Sequence, residues 1–361
     1  MILAGDVGGT HTRLGLFRSG VQGELEPAGP FAEFPSPGYP GLADVALEFL
    51  GAARGQRGSI EAACFGIPGP VVLNRAKAPN LPWPELDGAE IAERLGLAPE
   101  RAILVNDLAA AAAGLDRLGP GQLEELQAGV GASAQGSRAL VSAGTGLGIA
   151  LQGRAADGGW TTLPTEGGHV DFAPRDEEEW QLCRYVAVLP PVAAKSAGHV
   201  SVERLVSGPG LANLYSFLRD ARGLPAEPEV ERALAEHAAG TPGADPSAAI
   251  AAAGAAGHPT CDRALARFVS IYGAVAGNVA LVAGATAGIY LGGGVAPKLR
   301  ARLGDGTFLT AFRAKGRFAG YLERIPVRIV LEERAGLLGA AEIARALVPD
   351  DPTSRSVLRH P

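Results

Sequence analysis

Apolar positions fall first into two short runs, residues 1–6 (MILAGD) and 13–17 (RLGLF), separated by the glycine-bearing stretch from Val7 to Thr12. Such runs around a glycine turn predict two strands joined tightly. A third strand is expected near Ala28–Phe34, a helix over Leu42–Ala53 and a strand at Ile60–Gly66. A helix at Ala89–Leu95, a strand at Ala102–Val105 and an alanine-rich helix from Asp107 follow. A hairpin followed by alternating helices and strands predicts an α/β domain with a mixed sheet. The pattern then restarts. Ala139–Ser142 and Gly148–Leu151 read as strands around the turn Ala143–Leu147. Later, a helix at Phe268–Gly284 leads into a strand at Gly288–Leu291 and the turn Gly292–Gly294. Two openings of this kind predict a duplicated fold with a nucleotide between its halves. Ala221–Pro259 reads as helices and loops added to the second half, and Pro349–Pro361 as a frayed polar tail.

Composition narrows the class. A chain of 361 residues is too long for one ordinary core and suits two domains. The longest apolar run is read as Leu104–Leu115, which Asn106 and Asp107 interrupt. That falls short of the roughly 18–20 residues that span a bilayer, so no membrane partner is expected. The start of the chain carries no basic segment or small-residue cleavage site. Cys64, Cys183 and Cys261 lie far apart without a CxxC pair, which fits a reducing, cytoplasmic setting. A net charge of −6 argues against nucleic acid as a partner.

Three glycine turns carry the candidate phosphate chemistry. In GDVGGT (Gly5, Asp6, Val7, Gly8, Gly9, Thr10), bare backbone at Gly8 and Gly9 can bring N–H groups close to an anion. Thr10 and Thr12 add hydroxyl donors. Asp6, at a strand end, is placed to hold a hydrated Mg²⁺, which takes carboxylate oxygens while keeping waters. SAGTGLG (142–148) repeats the combination, with Thr145 and Gly146 at its centre. GGG (292–294), centred on Gly293, follows an apolar strand and would let a flat adenine approach. The first alone reads equally as an ordinary glycine hairpin, and a lone glycine triplet is more often just a turn; three such turns in this order are much harder to explain that way.

Polar groups suited to a polyol come next. ILVNDLAAAA (103–112) delivers Asn106 and Asp107 to the start of a helix, where either would also serve as an N-cap. An aspartate there can accept a proton from a sugar hydroxyl while Asn106 fixes its neighbours. EGGHVDF (166–172) supplies Glu166 and His169, and HVSVERLVSGPG (199–210) supplies Glu203. Bidentate groups of this kind pair with adjacent hydroxyls. Asp176 with Glu179 reads as a capping pair opening a helix whose acidic first turn is solvated. Cys183, Trp160 and Trp180 read as packing.

GDVGGT, VNDLAA, SAGTGLG, EGGHVDFAP, HVSVERLVSGPGLANLY, the glycine triplet, KGRF (315–318) and IPVRIV…GLLGAA (325–341) resemble the bacterial glucokinase family, in order and across nearly the whole chain. The resemblance implies a ribonuclease-H-like, actin/hexokinase-type ATPase fold with two α/β domains and an interdomain cleft. It implies a small domain over 1–116 completed by a helix near 336–348, and a large domain over 117–335. Asp107 would be the base for the 6-hydroxyl of glucose, and Asn106, Asp107, Glu166, His169 and Glu203 the sugar ligands. Residues 5–10 would form the first phosphate loop, with Thr145 and Gly146 in the second and Gly293 in the adenosine turn. ATP as co-substrate, Mg²⁺ held by Asp6 and a homodimer working in glycolysis follow from the same resemblance. His11 departs from the asparagine common at that place. Asn80 resembles a shaper of the sugar-site loop, and Trp83 reads as core.

Other readings separate on residues. Zinc-bearing sugar kinases and repressors of the broader ROK family place a cysteine cluster after the glycine-flanked histidine. Here VDFAPRDEEEWQLC offers only Cys183, too little for a tetrahedral site. A repressor would also need a basic helix-turn-helix ahead of the first glycine turn. A nucleotide-gated interaction protein gives no reason for the Asn106, Asp107, Glu166, His169 and Glu203 set. A kinase of another hexose, mannose or an N-acetyl sugar, uses the same chemistry and stays open.

Overall fold

The computed structural model describes residues 1–20, 24–53, 60–78, 81–130, 133, 135–156 and 158–348; Asn80 and the tail from 349 lie outside the described residues. The strands run β1 Ile2–Val7, β2 His11–Ser19, β3 Leu25–Pro27, β4 Ala32–Pro35, β5 Ala62–Ile67, β6 Val71–Val72, β7 Arg75–Ala76, β8 Leu86–Asp87 and β9 Ala102–Asn106. They continue with β10 Leu123–Gln127, β11 Arg138–Ala143, β12 Leu147–Arg154, β13 Trp160–Thr165, β14 Gly288–Gly292 and β15 Val327–Val330. The helices are α1 Leu42–Ala52, α2 Gly88–Leu95, α3 Asp107–Gly114, α4 Glu177–Ala187, α5 Pro190–Ser196, α6 Gly208–Arg222 and α7 Pro228–Ala238. After them come α8 Pro246–Ala255, α9 Pro259–Ala283, α10 Val295–Lys298, α11 Arg300–Leu303, α12 Thr307–Arg313, α13 Ala319–Leu322 and α14 Ala335–Arg345.

Two compact units divide the chain: Met1–Gln122, Ala150–Pro164 and the segment from Glu332 form one, and Leu123–Ile149 with Thr165–Leu331 the other. The principal sheets share one ordering. The first runs β3-β2-β1-β5-β9, with β4 also on β2, and the second runs β13-β12-β11-β14-β15, extended by β10. Numbered within each set, both read third, second, first, fourth, fifth, the duplication expected from the repeated openings.

In the first unit, β1 pairs antiparallel with β2 and parallel with β5, and β5 parallel with β9. Alternate residues of β1 face opposite sides, as the two-residue period of a strand requires. Leu3 and Val7 join a core with Leu42, Val45 and Phe49 of α1 and Ile91 and Leu95 of α2. Ile2 and Ala4 join a second core with Ala110 of α3 and Leu337, Ala340 and Ala341 of α14. Helices on both faces explain why β5 (AACFGI) is buried throughout. α3 and α14 cross with almost no side chain between them: a Cβ on Gly339 would stand 2.6 Å from the Gly114 nitrogen. A small third sheet, β6-β7-β8, was not expected from the sequence. Its tight turn places Leu73 and Asn74 at φ 50 and 61, and the Asn74 side chain then bonds the edge of β9 at Ala102 O and Leu104 N.

The second unit centres on α9. Tyr272 reaches β11, its hydroxyl donating to Val141 O at 2.9 Å, and Phe268, Ile271 and Tyr272 are fully buried. This helix corrects the hydropathy reading. Its 25 residues are long and apolar enough to cross a bilayer, by length and composition, and 61% of the apolar window is buried inside the protein. The run was overlooked because Ser270 and Asn278 divide it. A second correction concerns α4. Asp176 caps it by accepting the Glu179 N–H at 2.8 Å, as expected. Glu179 itself is fully buried, paired with Arg175 and Arg267 rather than solvated. Trp180 is exposed rather than packed, whereas Trp83 is core, its indole N–H donating to Tyr39 O at 2.9 Å.

Candidate active site

In open α/β sheets, ligands gather at the carboxyl ends of parallel strands. The first unit brings two groups to such an edge. Register pairs Asp6 with Gly66, and Gly66 with Val105. The ends of β1 and β9 therefore stand two strand spacings apart, about 10 Å. Asp6 occupies one end, Asn106 and Asp107 the other.

The turn after β1 is short because the Gly8 N–H donates to His11 O at 2.8 Å. Ser36 supports it from beneath, its hydroxyl donating to Gly8 O at 2.8 Å and its N–H to Thr10 O at 2.9 Å. Ser36 went unnoticed in the sequence, where nothing sets it apart. Thr12 is corrected here: it is fully buried and bonded to the Ser36 hydroxyl at 2.9 Å, so it offers no donor to a ligand. Thr10 is exposed, and His11 is exposed beside Glu33. Gly5 and Val7 lie within the strand. A Cβ on Gly5 would meet the Phe65 ring at 2.5 Å, and Val7 is core. Only Gly8, Gly9 and Thr10 form the turn itself.

The Asp6 carboxylate rests against the first turn of α14, where a Cβ on Gly336 would lie 3.1 Å from it. Burial pushes the Asp6 carboxyl up, and Arg13 partly opposes this. One carboxylate beside a bare-backbone turn suits a hydrated Mg²⁺, which takes one or two carboxylates and completes its shell with waters and phosphates.

Asn106 is the N-cap of α3. Its Oδ1 accepts the Leu108 and Ala109 N–H groups at 3.0 and 3.2 Å, while Nδ2 donates to Gly69 O at 3.1 Å. Asp107, the first helical residue, accepts the Leu108 N–H at 2.8 Å. Both are partly exposed.

The second unit places the other two glycine turns side by side. β11 and β14 run parallel with Ser142 opposite Gly292. Gly293, at φ 77, lies directly on the Ala143 carbonyl, so both its backbone angle and its neighbour require glycine. The turn at 144–146 is closed by Gly144 N–H donating to Gly146 O at 2.8 Å, and Gly144 O accepts from the Gly208 N–H at 2.8 Å. The N-terminus of the 15-residue helix α6 thus abuts the turn and adds positive partial charge. Thr145 is exposed on it.

Next to this turn stand the other three predicted sugar ligands. Bonds between Phe172 N and Val200 O and between Val202 N and Val170 O zip segment 170–172 to 200–202. His169 consequently faces both carboxylates, with Nε2 3.7 Å from Glu166 Oε2 and Nδ1 4.0 Å from Glu203 Oε1. Glu166 and His169 are well exposed, and Glu203 is mostly covered. Glu203 Oε2 accepts the Leu147 N–H at 3.0 Å. That backbone donor carries no side-chain signal and was missed.

Two sheets of identical order with glycine turns at the ends of their parallel strands give the actin/hexokinase-type fold of the ATP-dependent sugar kinases. Solved structures share the architecture. A glucokinase from an Antarctic psychrotroph superposes with a TM-score of 0.73 at 27% identity, over 94% of this chain and 97% of that one. A ROK family glucokinase from Streptomyces griseus, in complex with glucose and AMPPNP, matches in fold with a TM-score of 0.59 at 22% identity, over 95% and 99% of the two chains. The chain belongs to the glucokinase family, whose model matches residues 3–347. A glucokinase from Nostoc sp. is 39% identical over 356 residues, spanning 96% of this chain and 99% of the relative.

Proposed function

We propose that this protein transfers the γ-phosphoryl group of ATP to the 6-hydroxyl of glucose, giving glucose 6-phosphate and ADP. The observation that carries the reading is the pairing of chemistries within each unit. Asp6 and its glycine turn share a sheet edge with Asn106 and Asp107, and the glycine turn at 144–146 touches Glu203, which faces His169. Phosphate and polyol groups are thus neighbours twice over.

Phosphoryl transfer asks a protein chiefly to position reactants and stabilise charge. Asp107 accepts the proton of the sugar 6-hydroxyl as that oxygen attacks the γ-phosphorus. The new O–P bond forms while the bond to the β–γ bridging oxygen breaks, leaving ADP. Asn106, Glu166, His169 and Glu203 orient the remaining hydroxyls. N–H groups of the turns at 8–10 and 144–146 hold phosphate oxygens, and the Gly293 turn receives the adenosine. Asp6 would hold Mg²⁺, which would supply charge neutralisation at the phosphates. We assign the first phosphate loop and the base to a small domain of residues 1–116 with 336–348, and the remaining groups to 117–335. Family membership alone supports a cytoplasmic homodimer acting in glycolysis.

Selectivity should follow from stranded partners. A sugar lacking one hydroxyl leaves a polar group unpaired, at about 1–3 kcal/mol. The test is a panel of glucose, mannose and N-acetyl sugars assayed for phosphate transfer from ATP, with and without EDTA. Glucose should give the highest kcat/KM, and EDTA should abolish turnover until Mg²⁺ is restored. Preference for another hexose would redirect the substrate assignment, and turnover indifferent to EDTA would remove the role of Asp6.

A further inference from the structure

Glycine at position 146 has no explanation in its own backbone. Its φ is not positive, so the left-handed backbone that favours glycine is not the reason for it. No main-chain atom crowds it either. Among the described residues, the atoms within 4 Å of the place its Cβ would take are both from Glu203: Oε2 at 2.6 Å and Cδ at 3.4 Å. Gly144, two residues earlier in the same turn, faces open space.

That oxygen is a working one. Glu203 Oε2 accepts the Leu147 N–H at 3.0 Å, which turns Oε1 toward His169 Nδ1 at 4.0 Å. At the other end of residue 147, the carbonyl lies directly against Gly168, so closely that any side chain at 168 would overlap it. Leu147 is therefore held between the Glu203 carboxylate and the residue preceding His169. The centre of a supposed phosphate turn is in this way the seat of two proposed sugar ligands.

We infer that Gly146 is a positioning residue for the sugar: its missing side chain leaves Glu203 room to take the Leu147 N–H and so sets the carboxylate for glucose. The inference rests on reading Glu203 as a sugar ligand, and it moves the reason for glycine at 146 from the phosphates to the hexose. A methyl group there would force Glu203 Oε2 back by about 1 Å to reach ordinary contact distance. Losing a hydrogen bond to a charged ligand group costs affinity on the order of 10–100-fold.

The test is calorimetric and needs no turnover. Glucose is titrated without nucleotide, and Mg-ADP without sugar, into wild type, Gly146→Ala, Glu203→Gln, Glu203→Asp and the pair Gly146→Ala with Glu203→Asp. Gly146→Ala should weaken glucose by about 10–100-fold and leave ADP within about twofold. Because Glu203→Asp withdraws the carboxylate by one methylene, adding Gly146→Ala to it should cost less than about threefold, a non-additivity that only coupled residues give. Weakened ADP with unchanged glucose would overturn the inference, as would a full glucose penalty in the Glu203→Asp background. Should Gly146→Ala fail to fold, folding of the paired variant would support the same clash, and failure of both would overturn it. Glucose binding by Glu203→Gln equal to wild type would instead sink the sugar-ligand reading and this inference with it. A weakened Glu203→Gln beside an unaffected Gly146→Ala would sink the inference alone.

Discussion

Replacing Asp107 by Asn separates catalysis from binding and folding more cleanly than any other change in the site. The Asp107 Oδ1 accepts the Leu108 N–H at 2.8 Å, and an amide oxygen can accept the same bond. The cap of α3 belongs to Asn106 and is untouched. The fold loses one negative charge on the first turn of a helix, a contribution of about 0.3–1 kcal/mol. At roughly 2–4 °C per kcal/mol for a chain of this class, Tm should fall by no more than about 4 °C. On the proposed role the reaction loses its proton acceptor, which should lower kcat by about 10²–10⁴-fold. At 1.36 kcal/mol per decade that is about 2.7–5.4 kcal/mol of barrier, several times the loss in stability. Glucose affinity, measured by calorimetry without nucleotide, should stay within about threefold, since the amide keeps the shape and most hydrogen bonds. A coupled assay of glucose 6-phosphate formation gives kcat. Turnover above half of wild type would remove Asp107 from the role of base. A glucose Kd rising in step with the fall in kcat would make it a ligand only. Asn106→Ala is the contrasting control. It strips two N–H bonds from the helix start and one from Gly69 O, so it should lower stability by about 0.5–2 kcal/mol as well as activity.

Three further outcomes follow from single contacts. Glu179→Ala removes a buried carboxylate from Arg175 and Arg267 while Arg267 keeps Asp176 and Glu178, so the protein should lose about 1–3 kcal/mol in a urea melt; a loss below about 0.5 kcal/mol would show the network to be dispensable. Side-chain hydrogen bonds from Arg334 are the main cause holding the Glu332 carboxyl at about 2, below its ordinary 4.5. That contribution is fully present above pH 4.5 and lost as pH falls toward 2, so the stability gap between wild type and Glu332→Gln should narrow between pH 6 and pH 2.5; a constant gap would assign it to packing. Gly168→Ala must displace the Leu147 carbonyl, at about 1–3 kcal/mol, and glucose binding should suffer far more than ADP binding; the reverse order would mean that the segment serves the nucleotide.

The elements that carry the candidate site were legible because their signals are local in sequence. A strand end, a glycine turn and a polar residue at a helix start are written within six or seven residues. The elements carrying Asp6, Asp107 and Gly293 stand within one or two residues of their expected bounds. The shared ordering of the two sheets was foreshadowed by the repeated strand–turn–strand openings. What sequence reasoning missed is relational. Ser36 supports the first turn from 28 residues away, and Gly336 leaves room for Asp6 from the far end of the chain. The hairpin at Leu73–Asn74 escaped notice because its left-handed turn carries no glycine. The burial of Glu179 was invisible because its partner Arg267 lies 88 residues away.

Gly146 shows where pattern reading stops. A glycine in a threonine-bearing turn invites a phosphate explanation, since bare backbone is what an anion needs. The same residue type also answers a different demand, the absence of a side chain where another group must stand. Sequence cannot separate the two, because each is satisfied by the same letter. The fold separates them by neighbour. At Gly293 the demand comes from the backbone, through φ 77 and the Ala143 carbonyl. At Gly146 the backbone is indifferent and the demand comes from the Glu203 carboxylate alone. The same residue type in two neighbouring turns thus answers a backbone demand in one and a side-chain demand in the other. The backbone of Leu147 couples the two neighbouring segments: a shift there would disturb Glu203 through the N–H and the segment before His169 through the carbonyl.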